Sequence, residues 1–116
     1  KKMKNFVLLL RVNTNMDPGA FTDPREVADR AKWLEDVKEK GIVKNLGGTM
    51  PPIPPMATTI FADGSVKEGP FKEVEHFLTG FLIIEVEDLE AAKKIAATNP
   101  ILVAGGSVEI REILLR

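Results

Sequence analysis

Five consecutive apolar residues, Phe6 to Leu10, lie inside the β-type run "NFVLLLRVN". No other stretch constrains the fold as much. Side chains along a strand point alternately to opposite faces, so a strand that is apolar on both faces has to be covered on both. The run therefore predicts a central strand. It is far shorter than the ~20 residues of a membrane helix, and Arg11 follows it at once. No small-residue cleavage site follows a longer apolar region, so a signal peptide is not predicted either. The expectation is a soluble, cytoplasmic protein with no membrane partner.

The remaining segments show what can pack on that strand. After the turn-rich "TNMDPGAF", Asp23-Pro24-Arg25-Glu26 places a capping side chain, a proline at the first helical position and a glutamate three residues after the cap. This predicts a helix from about Pro24 to Lys40, ended by Gly41, with Val27, Ala31, Leu34 and Val37 on its inward stripe and Trp33 on the flank. "IVKNLGG" reads as a short strand. The proline-rich "TMPPIPPM" after it has to be an edge or a surface excursion, because prolines have no amide donor for a sheet. Asp63-Gly64 between two β-prone arms predicts a hairpin over Thr58 to Lys67 with a type I′ turn. "GFLIIEVED" is a further strand. Asp88 caps a second helix running to about Thr98, with Leu89, Ala92, Ile95 and Ala96 on one side, and Asn99-Pro100 ends it. "GSVEIREILL" supplies the last strand.

A strand, helix, strand, hairpin, strand, helix, strand order within 116 residues predicts one domain over residues 1–116. Its class is α+β, a ferredoxin-like split βαβ sandwich with an inserted β-hairpin and both helices on one face of the sheet. The other face is left without helices. Alternation assigns to it Val7, Leu9, Phe81, Ile83 and Ile113 beside Arg11, Glu85, Glu109 and Arg111. An apolar patch of that size marks an interface, and two such sheets packed face to face give a homodimer built as a dimeric α/β barrel.

The composition excludes several chemistries. With no cysteine, thiolate catalysis, disulfides and cysteine-based metal centres are absent. Sixteen basic residues against 17 acidic ones leave no clustered positive charge, so no nucleic acid partner is expected. Gly47-Gly48 and Gly105-Gly106 lack the further glycines and the lysine of a phosphate loop, and a single histidine does not make a zinc site, so neither a cofactor nor a metal is predicted.

Two sets of candidate site residues remain. "EGPFKEVEHF", Glu68 to Phe77, holds the only histidine. Histidine is the side-chain type most used for proton transfer near neutral pH, and Glu73, three residues before His76, would share its face in a helical segment and could orient the ring. Gly69-Pro70 reads first as a turn, with Phe71 as the anchor that packs the loop down. On the helix-free sheet face, Arg11 and Arg111 could receive the carboxylate of a small anionic ligand, and Glu85 and Glu109 stand beside them. Within this set His76, Glu73 and Glu85 are the catalytic candidates, and Arg11, Arg111, Glu109, Phe71 and Phe81 the ligand-binding ones. The bland alternative for the charged group is an ion-pair network that sets dimer register.

The stretch from "ATTIFADGSVKEGPF" to "GGSVEIREI", with "MKNFVLLLRV" at the front, resembles the DGPF family of the YCII-related superfamily. The likeness is carried by a hairpin leading into Gly-Pro-Phe, a glycine before an aromatic-rich strand, the helix start at "EVEDLEAA" and the closing "GGSVEIRE". It implies a ferredoxin-like protomer that dimerises through its sheets. For function it implies a small-molecule binding or regulatory module with a cleft at the dimer sheet face. The alternative is a lyase or isomerase using proton transfer, since some relatives carry a His and Asp pair in the dimer cleft. In those relatives the histidine stands near the start of the first helix. Here that segment, "FTDPREVADRAKWL", has none, and Glu68 replaces the more usual aspartate.

Overall fold

The apolar run forms β1 (Lys4–Asn13), and it holds an interior place in the sheet, as its two-sided hydrophobicity requires. The structure is a computed structural model that describes residues 2–13, 23–52, 56–71 and 76–114. After β1 come α1 (Pro24–Glu39), β2 (Val43–Thr49), β3 (Thr58–Ile60), β4 (Val66–Glu68), β5 (His76–Val86), α2 (Leu89–Ala96) and β6 (Ser107–Ile113), with a 3-10 turn at Pro100–Leu102. Four strands make an antiparallel sheet in the order β2-β5-β1-β6, and β3 pairs with β4 as a separate hairpin. The result is an α+β arrangement compatible with a ferredoxin-like fold.

One face of the sheet makes the core. Phe6 and Leu8 of β1 and Leu82, Ile84 and Val86 of β5 are buried against Trp33 and Val37 of α1 and Ala92 and Ala96 of α2. Both helices therefore cover the same face. Their starts use the expected caps: the Asp23 carboxylate accepts from the Arg25 amide at 2.8 Å, and that of Asp88 from the Ala91 amide at 2.9 Å.

The inward stripe of α1 differs from the expectation. Trp33 and Val37 are buried, Leu34 is partly so, and Val27 is 45% exposed with Ala31 also in solvent. The helix is rotated so that Glu26, Arg30, Trp33 and Val37, at helical spacing, form the side facing the sheet. Size decides this. An indole buries more area than either Val27 or Ala31 can offer, and its N–H finds the Thr98 hydroxyl at 2.8 Å. Leu89 is likewise exposed, leaving Ala92, Ala96 and partly buried Ile95 as the packing side of α2.

The hairpin forms where expected, with a different turn. The Gly64 amide donates to Phe61 O (2.9 Å) and the Phe61 amide to Ser65 O (2.8 Å), so Ala62 and Asp63 are the central residues and Gly64, at φ 88°, follows them. This is the three-residue loop closed by a left-handed glycine rather than a type I′ pair. Asp63 supports it by accepting from the Ser65 hydroxyl (2.7 Å) and amide (2.9 Å).

Candidate functional site

Cross-strand register assembles the helix-free face row by row. Leu9 of β1 lies between Phe81 and Glu109, Val7 between Ile83 and Arg111, and Asn5 between Glu85 and Ile113. Val7, Leu9, Phe81 and Ile83 are half-buried at the centre, although no helix covers them. The charges lie around this apolar centre. Arg11 donates from Nη1 to Glu109 Oε1 at 2.6 Å, with Arg11 only 16% exposed and Glu109 44%. Lys44 Nζ stands 3.7 Å from Glu85 Oε2. Among the described residues Arg111 forms no ion pair. Asn5 Oδ1, on this same face, is buried without a hydrogen-bond partner among them.

A β-bulge decides where the histidine stands. Leu10 pairs with Gly80 but Arg11 with Leu78, so Thr79 is an extra residue in β5. The parity of β5 reverses there. Leu78 and His76, which simple alternation back from Phe81 would send to the helix side, lie on the helix-free face opposite Arg11 and Asn13. His76 is thus a diagonal neighbour of Arg11, with Cα atoms about 7 Å apart by strand geometry.

A further concavity lies on the other side of the sheet. A cavity of about 340 Å³ opens between the first half of α1 and the sheet, floored by Leu10, Val12 and Leu82 and walled by Trp33 and Ile101. Glu26, Asp29 and Arg30 of α1 also line it. The cavity follows from the charge on the inward side of α1. Trp33 and Val37 can pack on the sheet, but Glu26 and Arg30 cannot be pressed onto Leu10 and Val12 without desolvation, so a gap remains. Gly80 also lines it. A larger, shallower groove of about 550 Å³ on the other flank of α1 is lined mostly by charged side chains such as Lys32, Asp36, Glu39 and Lys40.

The YCII-related domain family matches residues 8–115, almost the whole chain. The chain belongs to that family. No curated protein matches it significantly.

This YCII-related fold brings some of the sequence-picked residues together and separates others. Arg11, Glu109, Arg111, Phe81 and His76 share the helix-free face. Glu85 is on that face too, but it lies nine positions from His76 along β5, roughly 25 to 30 Å away within one protomer. It is paired with Lys44 rather than with either arginine. His76 begins a strand, so the helical spacing that would join it to Glu73 does not apply at His76 itself. Glu73 lies outside the described residues. Gly69 supports the turn reading: it is buried, has φ 105°, and its amide donates to Ala57 O at 2.9 Å. Phe71 is 63% exposed and does not pack into the core of its own protomer.

The residues around the cavity escaped sequence reasoning. A signal existed in Glu26 and Arg30, seven and three residues before Trp33, which interrupt the only helical stripe that contains the tryptophan.

Proposed function

We propose that residues 1–116 form one DGPF-type domain that works as a homodimer, its helix-free faces meeting as a dimeric α/β barrel, and binds a small anionic molecule at the edge of that interface. The observation that carries the reading is the half-buried apolar row Leu9–Phe81 and Val7–Ile83, which has no helix over it and is bordered by Arg11, Glu109 and Arg111. Exposed apolar area in that position is stabilised by a second copy. Arg111 then offers its planar fork to a carboxylate, while Arg11 is held in place by Glu109. Phe71, exposed in the protomer, is available to close over the partner.

A second reading, an enzyme of lyase or isomerase type, is favoured by the Thr79 bulge. His76 and Arg11 on one face give a base beside a carboxylate-binding group. Residence in the cytoplasm fits either reading.

The test is sedimentation velocity at micromolar concentration on the wild-type chain and Leu9→Asp, followed by an amide and guanidinium NMR titration with a simple C4 dicarboxylate. The dimer reading expects a dimer that Leu9→Asp converts to a folded monomer. The ligand reading expects saturable shifts at the arginine Nε–H groups, lost in Arg111→Ala. A wild-type monomer defeats the first, and an absence of arginine shifts in a proven dimer defeats the second.

A further inference from the structure

The cavity beneath α1 combines an apolar interior with an acidic mouth, and these features together specify a ligand. Its floor, Leu10, Val12 and Leu82, is aliphatic. Trp33 adds ring surface and no donor, because its N–H is already bonded to Thr98. Of the polar groups in its lining, Thr79 Oγ1 donates to Leu10 O and Asn99 Oδ1 accepts from the Ile101 amide at 2.9 Å. Most of the side chains that line the cavity are apolar. At about 340 Å³ it lies at the small end of the range of ligand-binding cavities.

The mouth has a different character. Glu26 and Asp29 project from the first turns of α1 and line the opening, and among the described residues neither forms an ion pair. Arg30, the one cation beside them, already has an interaction. Two carboxylates against one guanidinium leave the entrance of this apolar chamber net negative, which disfavours an acid and attracts a protonated amine.

We infer that this cavity binds a small molecule with an aromatic or branched hydrocarbon body and a single protonated amine, the body against Trp33, Val12 and Leu82 and the amine at Glu26 and Asp29. The site lies on the opposite side of the sheet from the arginine-bordered face, takes the opposite charge, and does not depend on dimerisation.

Trp33 is the only tryptophan in the chain and borders both this cavity and the shallower groove, so its fluorescence reports binding and the cavity-filling variants assign that binding to the cavity. The 116-residue chain is titrated with 2-phenylethylamine and, separately, with 3-phenylpropionate, which has the same ring and the opposite charge. The amine is expected to change Trp33 emission saturably and the acid to do so only at much higher concentration. Glu26→Gln is expected to weaken the amine about fivefold, the size of one partly solvated ion pair. Ala104→Phe fills the chamber and is expected to abolish binding, with Thr49→Phe on the opposite wall as an independent plug should the first variant not fold. Equal binding of amine and acid overturns the charge assignment. Undiminished binding in a folded plug variant overturns the site.

Discussion

The two faces of the four-stranded sheet are built from the same alternating strands, yet they have had opposite fates. On the helix side, Phe6, Leu8, Leu82 and Ile84 are almost completely removed from solvent by α1 and α2. On the other side, Val7, Leu9, Phe81 and Ile83 are only half-buried and share their surface with two arginines and two glutamates. The contrast teaches where free energy and specificity reside. The first face stabilises the protomer. The second is chemically varied, and no helix covers its apolar centre.

The comparison can be broken most directly by truncation. Leu82→Ala or Ile84→Ala should cost about 2 to 5 kcal/mol in urea unfolding, since each empties a closed core site. Leu9→Ala at the same height on the other face should cost markedly less in a dilute, monomeric sample. Equal losses would mean that the two faces are equally structural. A backbone test comes next. Gly47 has φ 61°, and a Cβ there would collide with the carbonyl oxygen of Phe81 across the β2–β5 pairing. Gly47→Ala should therefore destabilise by about 1 to 3 kcal/mol, measured by thermal unfolding.

Smaller effects sharpen the helix-free face itself. A double-mutant cycle on Arg11 and Glu109, which are in close contact with the guanidinium largely shielded, should give a coupling of about 1 kcal/mol. The Lys44–Glu85 pair, longer and more exposed, should couple by only about 0.3 kcal/mol. A reversal would relocate the organised end of the face.

The smallest effect concerns the hairpin. The Ser65 hydroxyl and then the Ser65 amide hold the Asp63 carboxyl below its ordinary value of 3.8. A depressed carboxyl stabilises the folded turn above that value, and its contribution is lost as pH falls through the folded pKa. The Ser65 amide and Gly64 signals in NMR spectra should therefore report turn loosening only below pH 3.8, and Asp63→Asn should remove that dependence.

Much of this architecture was legible because it rests on local or periodic signals. The apolar run marked β1 as interior, the Asp23-Pro24 and Asp88 caps marked both helix starts, and alternation sorted Val7, Leu9, Phe81, Ile83 and Glu109 to the correct face. What was not legible depends on contacts between distant segments. The rotation of α1 follows from the reach of Trp33 to Thr98, 65 residues away. The cavity follows from that rotation, since it turns Glu26 and Arg30 inward. The position of His76 depends on one bulged residue, which no periodicity within β5 reveals. The hairpin turn was misread for a local reason: Asp-Gly suits two loop types, and the Asp63–Ser65 bonds favour the three-residue form.

Thr79 also divides β5 into two independently addressed halves. Beyond it, Phe81 to Val86 is locked to the core, and a change of register there would turn Leu82 and Ile84 out to solvent. Before it, the strand is joined through a joint that absorbs exactly one residue's worth of phase. Removing that residue would join Leu78 directly to Gly80, so the same partners would pair in unbroken alternation and Leu78 and His76 would stay on the helix-free side, whereas flattening the bulge with Thr79 kept would exchange Leu78 for Phe77 there and withdraw His76. The bulge therefore sets which side chains of the first part of β5 reach the helix-free surface, separately from the part that is pinned by the hydrophobic core.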